Sequence, residues 1–116
     1  MRASGYGRVV AIGSSAGITC GARNVAAYAA SKGGLLAFAK SIAREYAPFG
    51  ITSNAVAPAF IDTEMIAGKG DFSDEIPVGR MGTPSDVASL VTYLCSQESG
   101  YVTGEVIDLN GGFFID

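Results

Sequence analysis

Histidine is missing from this 116-residue chain, and so is tryptophan. Without an imidazole there is no ready general base near neutral pH and no common ligand for a transition metal. Proton transfer, if the chain performs any, falls to a tyrosine, a lysine or a carboxylate. Its two cysteines, Cys20 and Cys95, are far apart, which argues against a disulfide framework. They read as packing thiols in a reducing, cytoplasmic setting. Charge is scarce as well: charged residues make up 16% of the chain, against roughly 25% in an average globular sequence. Eight Lys+Arg scattered along a chain of net charge −3 give no basic patch for nucleic acid. No apolar run approaches the roughly 18 residues of a membrane span, and the opening residues lack the pattern of a secretory signal. The expected partners therefore include neither nucleic acid nor membrane.

What the chain has in excess is apolar surface. Hydrophobic residues reach 48% with a mean hydropathy of +0.31, more than a single domain of this size needs for its own core. Some faces are expected to meet other protein.

Chemistry concentrates in two stretches, Gly13-Ser14-Ser15-Ala16-Gly17 and Tyr28-Ala29-Ala30-Ser31-Lys32. Tyr28 and Lys32 are four residues apart, so on a helix they share a face, one turn from each other. The lysine ammonium then favours the phenolate, which a tyrosine needs if it is to exchange protons near neutral pH. Ser14 follows the apolar run Val9-Val10-Ala11-Ile12, which places it at the carboxyl end of a strand, where open α/β sheets hold their ligands. The spacing alone is weak, since a tyrosine four before a lysine arises by chance about one time in eight in this composition.

The order of elements adds to it. Arg8 to Ile12 reads as a strand buried on both faces of a parallel sheet, and Gly13 to Asn24 as loop. Over Val25 to Tyr46 the residues Tyr28, Lys32, Leu35, Ala39, Ile42 and Tyr46 recur at steps of three and four, one stripe of a helix. Ala29, Ala30, Gly33, Gly34 and Ala37 make that helix unusually small. Each glycine costs it about 1 kcal/mol relative to alanine, a cost that close approach of another helix or of a cofactor would offset. Pro48 and Gly50 end it, and Ile51 to Pro58 is a second strand, completing a right-handed βαβ unit. Ala59 to Gly82 is irregular, with a short helix around Thr63 to Ala67, and is long enough to be a functional lid. Thr83-Pro84-Ser85-Asp86 is a strong helix start, followed by an apolar stripe of Val87, Leu90, Val91 and Leu94. Glu105 to Leu109 is the third strand, Asn110-Gly111-Gly112 a turn, and Phe113-Phe114-Ile115 an apolar tail costly to leave in water.

Taken in order, the Gly-Ser-Ser-x-Gly loop, the Tyr-x-x-Ser-Lys-Gly-Gly helix, Ile51-Thr52-Ser53-Asn54-Ala55-Val56-Ala57-Pro58, Thr103-Gly104-Glu105 and Asn110-Gly111-Gly112 resemble the C-terminal half of the short-chain dehydrogenase/reductase family. The likeness is strongest to the 3-oxoacyl-[acyl-carrier-protein] reductase branch and runs over residues 7 to 115. It implies an α/β fold: a partial Rossmann-like, doubly wound parallel sheet of three strands with flanking helices. Residues 1–116 would be a single truncated domain lacking its N-terminal half. The activity implied is NAD(P)-dependent interconversion of a small-molecule carbonyl and an alcohol. Tyr28 would be the acid/base, Lys32 would assist it and bind the nicotinamide ribose, and Ser14, with Ser15 as its rival, would orient the substrate oxygen. Pro58, Ala59, Ile61 and Thr63 match the family's segment around the nicotinamide carboxamide.

This sequence departs from the pattern at several points. Alanine replaces the glycine after Pro58, Ser53 stands where an apolar strand residue is usual, and the lid is several residues short. A dinucleotide site also needs a glycine-rich turn from a strand into a helix whose amides hold the pyrophosphate. Gly13 to Gly17 lacks that spacing, and no other segment supplies it. The isolated chain is therefore expected to be inactive, with a non-catalytic, self-associating module as the alternative. A homo-oligomer is expected in either case, through the small-residue helix, the edge of the Arg8 to Ile12 strand, or the apolar tail.

Overall fold

The computed structural model describes residues 1–63 and 70–116. Three strands, β1 (Gly7–Ile12), β2 (Ile51–Pro58) and β3 (Val106–Leu109), form one parallel sheet in the order β1-β2-β3. Gly7 lies opposite Ile51 and Ile12 opposite Val56; on the other side of β2, Ala55 lies opposite Val106 and Pro58 opposite Leu109. Parallel neighbours require crossovers. They contain a four-residue helix α1 (Ala16–Thr19) and the long α2 (Ala26–Tyr46) between the first two strands, and α3 (Pro84–Cys95) between the last two. This is the open α/β sheet that the alternation of strand and helix patterns predicts.

β2 is the buried strand, with Ile51 through Ala57 all inside. Its polar residues are tied to the segment entering β3. The Asn54 side chain donates to the Val102 carbonyl at 2.9 Å and accepts from the Glu105 amide at 3.1 Å. The Ser53 amide donates to Thr103 Oγ1 at 3.0 Å, and its carbonyl accepts from the Gly104 amide at 2.8 Å. The Thr103-Gly104-Glu105 motif is thus a clamp joining β2 to β3. The hydroxyls of Thr52 and Ser53, by contrast, are buried without a partner among the described residues.

β1 differs from its expected environment. It is half-buried over most of its length, and Ile12 is 46% exposed. A valine-rich run predicts burial only where strands lie on both sides, and among the described residues only β2 flanks β1.

α2 also turns a different face inward. Leu36, Ala39 and Ala43 are buried against the sheet, at the i, i+3, i+7 spacing of a core-facing stripe. Of the stripe expected from the sequence only Ala39 is buried. Lys32, Leu35, Ile42 and Tyr46 are half-buried, and Tyr28 is exposed. The helix ends in a 3-10 turn, Ala47–Phe49, capped by Gly50 at φ 75°.

Within the span expected to be all loop, α1 forms and packs on α2. It accounts for one of the helix glycines: a Cβ on Gly17 of α1 would stand 2.9 Å from the Gly33 nitrogen and from the Lys32 carbonyl carbon. Gly33 is thus crossed by a single short turn, while Gly34 meets nothing within 4 Å.

α3 begins as predicted, with Pro84 in its first turn and a reciprocal capping box between Thr83 and Asp86. Leu94 is buried, and Val87, Leu90 and Val91 are half-buried. Between β2 and α3 the chain is irregular apart from a 3-10 turn, Ser73–Glu75, and a parallel bridge between Ile61 and Gly82. The short helix expected around Thr63 to Ala67 lies, apart from Thr63, outside the described residues. The tail is only partly covered, since Phe113 packs edge-on against Phe60 with ring centres 4.9 Å apart while Ile115 is 83% exposed. Both cysteines are unpaired and exposed rather than packed. Among the described residues no helix is long and apolar enough to cross a membrane.

Candidate active site

The carboxyl ends of all three strands meet at one edge of the sheet, where an open α/β fold places its ligand. Gly13 continues β1 by donating to the Val56 carbonyl at 2.8 Å. Ser14 follows, buried, with its Oγ accepting from the Ala16 amide at 3.2 Å and its carbonyl accepting from Gly17 at 3.0 Å. That turn leaves the Ser14 hydroxyl proton uncommitted. The Ser15 amide donates to the Pro58 carbonyl at 3.0 Å, which ties this loop to the end of β2. Ala59 in turn donates to the Leu109 carbonyl at 3.1 Å, so the three strand ends are cross-linked by backbone.

Tyr28 and Lys32 stand on the first two turns of α2. The lysine Nζ is 5.7 Å from the centre of the tyrosine ring, within the range of a cation–π contact. Tyr28 is 40% exposed and Lys32 half-buried. The Ser31 hydroxyl donates to the Tyr28 carbonyl at 2.8 Å and secures the helix between them. Gly17 links the two halves of the site, because the turn after Ser14 rests on the α2 backbone at Lys32 and Gly33.

The expected carboxamide segment lies on the same edge. Pro58, Ala59, Ile61 and Thr63 are all half-buried, and Ile61 is held by its bridge to Gly82. Ala59 is not among the residues with positive φ, so alanine sits there without left-handed strain.

A cleft of about 280 Å³, which the sequence did not announce, opens beside this segment, lined by Phe60, Ile76, Val78, Leu109 and Asn110 among others. Phe60 stacks on Phe72 at 4.6 Å as well as meeting Phe113. No periodicity marks these residues, because most come from irregular backbone and the rest from the end of β3 and the turn after it. At the cleft's margin Arg80 and Asp86 form an ion pair, Nη1 to Oδ2 at 2.7 Å. The Arg80 guanidinium, followed by the Thr83 amide and hydroxyl, holds the Asp86 carboxyl well below the usual carboxylate range. Asp108 on β3 goes the other way: burial first, then the nearby Asp116, push its carboxyl up.

The family described as "Enoyl-(Acyl carrier protein) reductase" matches residues 1–114. The chain belongs to the short-chain dehydrogenase/reductase family. It is most like that family's 3-oxoacyl-[acyl-carrier-protein] reductases. The one named FabG from Aquifex aeolicus is 46% identical over 114 residues, which cover 94% of this chain and 46% of that protein. Among solved structures, the TT0495 protein from Thermus thermophilus superposes with a TM-score of 0.89 at 32% identity, over 97% of this chain and 51% of that one. A putative NAD(P)-dependent gluconate 5-dehydrogenase from Beutenbergia cavernae, solved with bound NADP at low occupancy, gives 0.89 at 37% identity over 97% and 48%. The chain spans about half the length of the curated relatives it matches.

The residues of this short-chain dehydrogenase/reductase chain fit one end of a nicotinamide dinucleotide and not the other. A lysine beside a tyrosine and a serine with a free hydroxyl proton suit the nicotinamide ribose and a carbonyl oxygen. For the pyrophosphate, the glycine-flanked turn after β1 leads only into the four-residue α1. A helix that short offers no row of aligned amides to an anion.

Proposed function

We propose that this chain carries the proton-transfer half of an NAD(P)-dependent oxidoreductase that interconverts a carbonyl and an alcohol, with a 3-oxoacyl thioester as the favoured substrate class. The observation that supports it is the Tyr28–Lys32 pair, held one helical turn apart on the helix that crosses the Ser14 turn. The cofactor, NAD or NADP, supplies the hydride when bound. The chain's own groups do the rest: Tyr28 gives its phenolic proton to the substrate oxygen during reduction and takes it back in the reverse direction. The Lys32 ammonium stabilises the phenolate left behind and hydrogen-bonds the nicotinamide ribose. Ser14 donates to the substrate oxygen, and Pro58, Ala59, Ile61 and Thr63 border the carboxamide. The name of the Aquifex relative favours a 3-oxoacyl substrate. A cytoplasmic setting agrees with two unpaired cysteines.

On this reading the chain is one half of a larger Rossmann domain and is inactive alone. The test is a nicotinamide-fluorescence titration of the chain, and of the chain joined to the N-terminal half of the Aquifex reductase, with reduction of a 3-oxoacyl thioester as the second readout. The joined protein is expected to bind NADH or NADPH saturably and to reduce the thioester. A joined protein that folds and binds cofactor but reduces no carbonyl compound removes the reading. The alternative is a self-associating module in which Ser14, Tyr28 and Lys32 do no chemistry. Saturable cofactor binding by the chain alone would eliminate it.

A further inference from the structure

The chain has three asparagines, Asn24, Asn54 and Asn110, and only Asn110 precedes a glycine. Val25 and Ala55 follow the other two. With no Cβ in the way, the Gly111 nitrogen can close on the side-chain carbonyl of Asn110 more readily than a valine or alanine nitrogen could.

The turn after β3 favours that closure. Asn110, Gly111 and Gly112 are half-buried, so water reaches them. The Gly111 amide has no hydrogen-bond partner among the described residues, which leaves its nitrogen uncommitted. Asn110 Oδ1 already accepts from the Gly112 amide at 2.9 Å, a donor placed where negative charge develops when this carbonyl is attacked. A hydrogen bond to a charged oxygen is about twice as strong as one to a neutral oxygen, so the donor aids the attack more than it steadies the resting amide.

The fold also depends on both members of the pair. Gly111 has φ 61°, and a Cβ there would stand 2.6 Å from Ile76 Cγ2 and 2.8 Å from Val78 Cγ2. Its carbonyl accepts from the Val78 amide at 3.1 Å. Asn110 uses both halves of its side chain, because Nδ2 donates to the Phe114 carbonyl at 2.8 Å while Oδ1 accepts from Gly112. A carboxylate could do only the second.

We propose that Asn110-Gly111 is a site of spontaneous modification, at which the asparagine cyclises and opens to aspartate and isoaspartate, unlocking the tail and one wall of the Phe60 cleft. Hydroxide takes the Gly111 amide proton and the nitrogen attacks Asn110 Cγ. The new N–Cγ bond closes a succinimide as the Cγ–Nδ2 bond breaks, and the departing nitrogen takes a proton from water and leaves as ammonia. Water then opens the ring at either carbonyl. One water is consumed, one ammonia is released, and nothing is oxidised or reduced. The product sets an oxygen, not an N–H, against the Phe114 carbonyl. Isoaspartate also adds a methylene to the main chain beside Gly111, which shifts the carbonyl that holds Val78 and the turn in which Phe113 donates to the Asn110 carbonyl at 3.1 Å.

The proposal is independent of the oxidoreductase reading, since neither cofactor nor substrate enters its test. The purified chain is incubated at mildly alkaline pH, and peptide mapping by mass spectrometry, with fragmentation that distinguishes aspartate from isoaspartate, follows all three asparagines. Asn110 should convert at least tenfold faster than the exposed Asn24, which lacks a following glycine. Converted chains carry an added negative charge and separate by anion exchange from unconverted chains of the same age. Hydrogen exchange on the two fractions should show the Val78 and Phe113 amides losing protection in the converted one alone, while the amides of β2 stay protected. Asn110→Asp should reproduce the loss at Phe113; if that variant does not fold, the aged fractions decide. Asn110 outlasting or matching Asn24 overturns the proposal, and so does a converted fraction in which Val78 and Phe113 remain protected.

Discussion

Gly17 and Gly33 meet backbone to backbone where α1 crosses α2: a methyl on Gly17 would stand 2.9 Å from the Gly33 nitrogen and 3.0 Å from Leu36 Cδ1. Contacts to backbone cannot be relieved by a rotamer change, so Gly17→Ala should force the two helices apart and cost about 1–3 kcal/mol. Gly34 has open space around it, and Gly34→Ala should gain about 1 kcal/mol from helix propensity alone. Urea midpoints of the two variants should therefore move in opposite directions. Equal shifts would show that the crossing is looser than its geometry.

The buried hydroxyls of Thr52 and Ser53 find no partner among the described residues. Each therefore bears a desolvation cost of about 1–3 kcal/mol with nothing to offset it. Thr52→Val preserves shape and Ser53→Ala removes only an oxygen, so both should raise the unfolding free energy by an amount in that range. Chemical denaturation measures it. A loss of stability in both variants would mean that the hydroxyls are bonded after all.

Two carboxylates should give opposite dependences on pH. Asp86 is held below its ordinary range by Arg80 and Thr83, so its contribution is complete above the unfolded value near 3.9 and is lost as pH falls through that value and below. Asp86→Asn should be less stable than the parent at neutral pH, with the gap closing under acid. Asp108 is pushed up by burial and by Asp116; its folded form favours the proton and is penalised once ionised. Asp108→Asn should therefore be the more stable protein at neutral pH, and the difference should shrink as pH falls through the raised value and vanish below the unfolded value near 3.9. Parallel stability curves for the two variants would contradict both assignments.

Much of this could be read from the sequence because each signal was local. Thr83-Pro84-Ser85-Asp86 carries its own cap, and Ile51 to Pro58 is a strand by composition and by the Pro48–Gly50 stop before it. What was hidden depended on neighbours distant in the chain. α1 is too short for any periodicity to register. The inward face of α2 carries little hydrophobic signal because two of its three buried residues are alanines: beside Leu36, Ala39 and Ala43 let the helix lie close over β2, leaving Tyr28 outside. The burial of β1 was overestimated because a run of valines records a preference, whereas exposure depends on whether a further strand is present. The Phe60 cleft joins irregular backbone to the end of β3 and its turn, a pairing no spacing rule anticipates.

The catalytic assignment yields the last prediction. Tyr28 lies beside Lys32 with its ring, not its hydroxyl, making the 5.7 Å contact to the ammonium. Tyr28→Phe keeps that ring and its exposed position on α2, so the helix, its crossing with Gly17 and the stability of the chain should be unchanged. Only the transferable proton is lost, and no histidine exists to replace it. Removal of a general acid typically costs 10²- to 10⁴-fold, and carbonyl reduction by the chain joined to the Aquifex N-terminal half should fall by that much at unchanged cofactor affinity. Lys32→Ala should instead lower both turnover and cofactor affinity, because the ammonium serves the phenolate and the ribose together. Steady-state rates and fluorescence titrations on the two variants separate these roles. Turnover by Tyr28→Phe within tenfold of the parent would take the proton transfer away from Tyr28, and with it the reading of this face of α2 as a reaction centre.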